Sequence, residues 1–317
     1  MIDSVELVKL LKERKHSGQE LADVFKVSRS GVWKKVKKLQ EKGYVIEVDK
    51  EGYRIVSSPD KVLPEEVIPF LNTKFIGRNY IHFEEIHSTN EYIKSKEFPD
   101  GAIVVAETQT AGKGRKGRKW VSIYSKGLYF SVLLKPRVEV YYTSKLSLLF
   151  LYSVFKVLKT YVNEGLKIKW PNDIYLNGKK LAGFLIDSSI ENNEVIKIVL
   201  GVGINVSNDL EDLMDVEIAT SLKIETGKEF NRKTLLANLL QEIEIDYYRF
   251  LETKFFDVIN IERDLLWLGE NVKIYEDGKV IHEGTIEGLN DDGALKLRTK
   301  ENVELIYIGE LSVRGQL

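Results

Sequence analysis

The stretch that most restricts the fold is "GQELADVFKVSRSGVWKKVKKLQEKGY", Gly18 to Tyr44. Leu21, Phe25 and Val27 form one apolar face, and Val32, Val36 and Leu39 form a second, both at helical spacing. The short turn "KVS" separates them, with Ser28 placed to cap the following helix. Helices this short bury their apolar stripes only against one another, so the pattern predicts a helix-turn-helix behind a first helix. "YVIEVDKEGYRIV" then alternates apolar and polar residues around a turn ending at Gly52, which predicts a hairpin wing. Arg29, Ser30, Trp33, Lys34 and Lys37 lie off the Val32/Val36/Leu39 stripe and are the candidates for a DNA major groove. The basic helix and the wing are expected to supply phosphate contacts. Lys plus Arg (47) nearly balances Asp plus Glu (48), so such a role rests on a local basic face.

Residues 1–57 are therefore expected to be a winged DNA-binding domain. "SSPDKVLPEEVIP", with three prolines and no sustained period, reads as part of a linker over 58–74. Residues 75–268 mix strands ("YIHFEEI", "AIVVAET", "LYFSVLL", "LKIKW", "LAGFLIDSSI", "VIKIVLGVGIN") with helical patterns near 141–163 and 231–253. Asn177-Gly178 between apolar strands is a strong hairpin signal. From 269 to 317, short strands punctuated by "EDG" and "NDDG" suit a small β-barrel. The chain has no cysteine, which excludes disulfides, thiolate metal sites and thiol catalysis. The N-terminus lacks a signal-peptide core, and "LSLLFLYSVF" is about half of a membrane span. A soluble cytoplasmic protein is expected.

"AGKGRKGRKW", Ala111 to Trp120, combines three glycines, five cations and a tryptophan. Gly112, Gly114 and Gly117 spell a dinucleotide fingerprint, but "WVSIYSKGLYFSVLL" follows where a helix should start. The first acid after the loop is Glu139. A Walker A loop fails too, because Gly117 precedes Arg118-Lys119 instead of Lys-Ser/Thr. Glycines let the backbone approach a ligand and offer N–H donors, while the cations favour an anion. Trp120 offers a flat surface for an adenine. The chemistry indicated is a nucleotide phosphate clasped by a loop.

These residues resemble the adenylate-binding loop of biotin–protein ligases. "STN" (Ser88 to Asn90), "KWPND" (Lys169 to Asp173), "GKKLAG" (Gly178 to Gly183) and "GVGIN" (Gly201 to Asn205) occur in that family's order. With the helix-turn-helix, the chain resembles the bifunctional type, a ligase that also represses biotin genes. The resemblance implies an α+β multidomain protein: a winged helix-turn-helix, a mixed α/β core of class II synthetase type and a C-terminal SH3-like barrel. It implies a two-step reaction, in which biotin and ATP give biotinyl-5′-AMP and the acyl group then passes to a lysine of a biotin carboxyl carrier protein. Lys180 and Arg115 are its catalytic candidates, and Arg118 joins them in offsetting phosphate charge.

The implied biotin contacts are Ser88, Thr89, Asn90, Gln109, Lys113, Gly114, Arg115 and Lys180. The implied ATP and adenylate contacts are Arg115, Arg118, Trp120, Asn172, Asp173, Lys180 and Asn205. Mg2+ is expected with ATP, with no protein metal motif. "STNE" is also a capping box, so Ser88 has a purely structural role open to it. The bland reading of Gln109 is an ordinary polar strand end, and Trp170 reads better as core. At Lys113 the family usually carries arginine; lysine keeps the charge and loses the planar fork. A homodimer on operator DNA, promoted by biotinyl-AMP, is the expected assembly. The competing readings are a DNA-binding ligand sensor without ligase activity and a lipoate–protein ligase, whose Arg-Arg and Gly-Gly-Gly loop is absent.

Overall fold

The computed structural model describes residues 2–216, 218–276 and 279–307, and the backbone of 312–315. The "EDG" turn falls partly on Asp277 and Gly278, outside the described residues. The chain forms two compact units, Met1–Leu71 and Asn72–Leu317.

The first unit starts with helices α1 (Ser4–Glu13), α2 (Gly18–Phe25) and α3 (Arg29–Glu41). Each has a side-chain cap that satisfies an otherwise orphan N–H: Asp3, Ser17 and Ser28 accept from Val5, Glu20 and Gly31. α2 stops where Lys26 turns left-handed at φ 52°. Leu7, Leu11, Leu21, Val32, Val36 and Leu39 meet in one core with Ile46 and Ile55 of the wing strands β1 (Val45–Asp49) and β2 (Gly52–Ser57). Burial of each such side chain is worth about 1.5–3 kcal/mol.

Two expectations change here. The wing carries Glu47, Asp49 and Glu51 against Lys50 and Arg54, and Lys15 lies 3.0 Å from Glu47 and 2.5 Å from Asp49. An acid-rich wing leaves the phosphate-seeking charge on α3. The stretch expected as linker is also not one. Pro64 opens a short helix, α4 (Pro64–Val67), where its missing N–H costs nothing. Val62, Leu63 and Val67 are buried, as are Glu65 and Glu66. Lys42 lies 2.5 Å from Glu65, Lys12 lies 2.7 Å from Glu66, and the Tyr44 hydroxyl donates to Glu66 at 2.8 Å. Burial, reinforced by the Glu66 charge, pushes the Tyr44 phenol far above its ordinary range.

The second unit is built on a mixed sheet. In chain order its elements are β3 (Tyr80–Ile86), α5 (Thr89–Lys94), β4 (Ile103–Gln109), β5 (Gly127–Leu134), β6 (Val138–Glu139), α6 (Thr143–Lys159), β7 (Leu166–Lys169), β8 (Asp173–Leu176), β9 (Lys179–Glu191) and β10 (Glu194–Asn205). The sheet order is β3-β4-β5-β10-β9-β8-β7, with β6 on β10; β3 and β4 are parallel and the other pairs antiparallel. Asn177 and Gly178 both take positive φ, 50° and 77°, as a two-residue turn between β8 and β9 requires. Short helices α7 (Leu210–Leu213) and α8 (Leu222–Thr226) precede α9 (Arg232–Thr253), which packs on α6 and the sheet.

Arg232 is fully buried, 3.0 Å from the equally buried Glu107, and donates to Gly127 O and Ser125 Oγ. This pair ties β4 to the residues that lead into β5, because Glu107 lies on β4 and Ser125 is two residues from β5.

After α10 (Ile259–Glu262), strands β11 (Asn271–Glu276), β12 (Lys279–Leu289), β13 (Leu295–Arg298), β14 (Val303–Ile306) and β15 (Ser312–Gly315) form an antiparallel sheet in the order β14-β13-β12-β11-β15. His282 of β12 and Glu304 of β14 lie 2.5 Å apart although their strands are not hydrogen-bonded neighbours. The division expected at 268/269 is not a break in packing. The buried Trp170 donates its Nε1 to Gly293 O at 3.0 Å, tying the C-terminal strands to the mixed sheet. Trp170 is buried, as the preferred core reading has it, and it also lines the cavity described below.

Candidate active site

The site lies over the middle of the mixed sheet, where glycines remove side chains from one face. Gly183 of β9 and Gly203 of β10 are register partners, and the Trp120 indole rests on both. A Cβ added at Gly203 would sit 2.4 Å from Trp120 Cε2, and one at Gly183 would sit 2.9 Å from Cζ3. Gly201 gives the same clearance to Asn90. The "GVGIN" and "KKLAG" glycines are thus floor tiles, fixed by the close approach of larger groups. Above this floor is a cavity of about 450 Å3, a size usual for small-molecule sites.

One end of the cavity is neutral and polar. The N-terminus of α5 meets the end of β4, and Gln109 Oε1 accepts from Thr89 N at 2.9 Å and Thr89 Oγ1 at 3.1 Å. Gln109 Nε2 donates to Ser122 Oγ at 3.1 Å. Ser131 Oγ of β5 lies 2.8 Å from Thr89 Oγ1 and within hydrogen-bond reach of the Asn90 side-chain Oδ1. Ser88 caps α5 through a long 3.4 Å contact from Glu91 N, and it also lines the cavity. Capping therefore does not remove it from the site.

The other end is cationic. Lys180, early on β9, places Nζ 2.8 Å from Asp173 Oδ1 and 5.5 Å from the centre of the Trp120 ring. Its backbone is paired to the 218–220 segment through Ile218 O and Thr220 N. Arg115 donates to Asn172 Oδ1 at 3.1 Å, and Asn172 in turn donates to Phe184 O at 2.9 Å. Lys113, Gly114 and Arg118 line the same space. Burial first, and the Asp173 carboxylate second, push the Tyr175 phenol well above its ordinary value, with Arg118 opposing.

The structure therefore brings together Ser88, Thr89, Asn90, Gln109, Lys113, Gly114, Arg115, Arg118, Trp120, Asn172, Asp173 and Lys180 around one cavity. Asn205 is the exception. It is buried, donates Nδ2 to Thr220 O at 2.9 Å, and lies outside the cavity lining; its work is to hold the end of β10 to the next segment. Sequence reasoning also missed several lining residues. Lys169 belongs to "KWPND" and was within reach of the motif; its Nζ lies 3.1 Å from the Tyr175 hydroxyl and over the Trp267 ring. Trp267, Val216 and Ile218 come from irregular segments with no pattern to mark them.

On the first unit, Arg29, Ser30, Trp33, Lys34 and Lys37 are all exposed along α3, and Lys37 sits 5.4 Å from the centre of the Trp33 ring. Among the described residues no helix is long and apolar enough to cross a membrane.

Cations at one end of a cavity, neutral amides and hydroxyls at the other, and the Trp120 indole between them suit a ligand with an anionic end and a neutral polar end. The Biotin/lipoate A/B protein ligase family matches residues 82–205, an HTH domain matches 5–54, and the Biotin protein ligase C terminal domain matches 267–314. The bifunctional ligase/repressor BirA of Bacillus subtilis is 31% identical over 98% of this chain and 98% of its own length. That of Escherichia coli is 30% identical over 95% and 93%. The biotin protein ligase of Aquifex aeolicus, solved in complex with biotin and ATP, superposes with a TM-score of 0.65 at 35% identity, covering 75% of this chain and all of that one. The chain belongs to the bifunctional ligase/repressor family: it is a biotin–protein ligase that carries its own DNA-binding repressor domain.

Proposed function

We propose that biotin lies with its ureido head among Thr89, Asn90 and Gln109 and its carboxylate at Lys180, and that ATP lies over Trp120 with its α-phosphate at the same lysine. A biotin carboxylate oxygen attacks the α-phosphorus; the new O–P bond forms as the bond to pyrophosphate breaks. Two anions are joined in this step, so a cation between them lowers the barrier. Lys180 supports this reading best: it stands at the cationic end, beside Trp120, and its Asp173 partner orients the ammonium.

In the second step the ε-amine of an acceptor lysine, on a biotin carboxyl carrier protein, attacks the acyl carbon and AMP leaves. Arg115, held by Asn172, covers the mixed anhydride and keeps water from it. Among the described residues no cluster of three or more His, Asp or Glu forms a metal cage. Mg2+ bound with ATP would supply charge neutralisation at the phosphates.

The repressor half reads DNA with α3, as a cytoplasmic homodimer on paired half-sites, and biotinyl-AMP promotes that dimer. The deciding experiment for the ligase is ATP–pyrophosphate exchange with biotin and, in parallel, lipoate. Exchange driven by biotin alone is expected. Equal exchange with lipoate would remove the biotin assignment of the Gln109 end.

A further inference from the structure

The basic loop is a small closed body. Gly114 N donates to Arg118 O at 2.7 Å, and Trp120 N donates to Gly112 O at 2.8 Å. Whatever holds one of its residues therefore holds the loop. Lys113 is so held: its Nζ lies 3.3 Å from Glu91 Oε1, on the first turn of α5. Glu91 also lies 3.3 Å from Lys94 Nζ, which is 3.0 Å from Asp187 Oδ2; that oxygen accepts from Asn90 Nδ2 at 3.5 Å. A chain of alternating charge thus runs from the loop, across α5, to an amide that lines the cavity.

We propose that Glu91 is a positioning residue for the adenylation reaction, an electrostatic latch that holds the 112–120 loop over the cavity through Lys113 and is itself set by Lys94 and Asp187. The inference rests on the reading of this cavity as the biotinyl-adenylate site. The Glu91 carboxyl is held below its usual range chiefly by the Lys113 hydrogen bond and next by Lys94, so the latch is charged at neutral pH. It is also half-exposed, with side-chain accessibilities of 47% and 45% for Lys113 and Glu91. Such a latch is weak and sensitive to salt, which suits a loop that must open once per turnover.

Glu91→Gln keeps the shape and removes the charge. In the ligand-free full-length protein, amide hydrogen exchange across 112–120 is expected to speed by about two- to fivefold at low salt, and the difference is expected to shrink at 0.5 M salt. During turnover, free biotinyl-adenylate is expected to be released faster by the same factor. Lys113→Gln should show the same gain, and the double variant should add nothing to it, the signature of one shared contact. Unchanged loop exchange in Glu91→Gln, or an equal gain from that change in the Lys113→Gln background, would overturn the latch. Faster loop exchange in a protein that makes no biotinyl-adenylate would leave the latch standing and remove the ligase reading.

Discussion

Gly203→Ala adds one methyl group to the floor, and its cost follows from the geometry. The new Cβ would lie 2.4 Å from Trp120 Cε2 and 2.6 Å from Nε1. Carbon atoms settle near 3.5 Å, so the indole must rise by roughly 1.1 Å. Sideways escape is narrow, because Gly183 also brings the sheet close under the indole, where a Cβ would sit 2.9 Å from Cζ3. The backbone of Trp120 is meanwhile tied to Gly112. The φ of Gly203 is not in the left-handed region, so alanine adds no backbone strain and the effect is purely steric. Overpacking of this kind costs about 1–3 kcal/mol of stability. Lifting the stacking surface by about 1 Å displaces the reacting phosphate from Lys180, a misplacement worth about 100-fold in rate. ATP–pyrophosphate exchange should therefore lose roughly two orders of magnitude in kcat/KM for ATP, beside a lower urea midpoint. Exchange within twofold of wild type would show that Trp120 does not set the position of the nucleotide.

Lys180→Ala should stop adenylate formation, with a loss of about 3–4 kcal/mol of transition-state stabilisation, while circular dichroism and melting stay near wild type; near-normal exchange would sink the assignment. Fragment 1–71 should unfold cooperatively and bind operator DNA, whereas 1–57 should melt lower, since it lacks Leu63, whose burial alone is worth about 1.5–3 kcal/mol. Equal melting of the two fragments would refute the packed role of α4. Burial raises the Glu225 carboxyl, but Thr220, Asn177 and Lys179 outweigh it and leave the pKa lowered. Its contribution to stability is thus present above the unfolded value and lost as pH falls through the lowered folded one. The urea-midpoint gap between wild type and Glu225→Gln should accordingly be wider at pH 7 than at pH 3.5, and a constant gap would deny the shift. Operator titrations with apo protein, biotin, and biotin plus ATP, at one salt concentration, should show the tightest midpoint in the third; three identical midpoints would uncouple ligation from repression.

Much of this protein was legible in its sequence because local rules govern much of it. The helix-turn-helix follows from apolar spacing and from the cap at Ser28, both properties of neighbouring residues. The hairpin at Asn177-Gly178 follows from the positive φ that its two residues tolerate. The basic loop, "KWPND", "KKLAG" and "GVGIN" each mark one wall of the cavity in an unbroken stretch of chain.

What the sequence could not assign depended on partners distant in the chain. Asn205 and Gly203 share one motif, yet Gly203 lies under Trp120 while Asn205 turns away to Thr220. Only the placement of the 206–222 segment decides between those roles. Pro64 in "VLPEEVIP" looks like a breaker; it starts a helix because Lys12, Lys42 and Tyr44 await the two glutamates behind it. Arg232, at the head of a helix beside a lysine, has the local pattern of a solvated cation. It is fully buried because Glu107, 125 residues earlier, supplies the opposite charge where water is absent. By itself the sequence determined most of the elements and the motifs that border the cavity, since backbone preference and apolar periodicity act within a few residues. The tertiary structure alone decided which polar side chains hold the molecule together and which face the cavity, because that choice is made by the desolvation of pairs brought together only by folding.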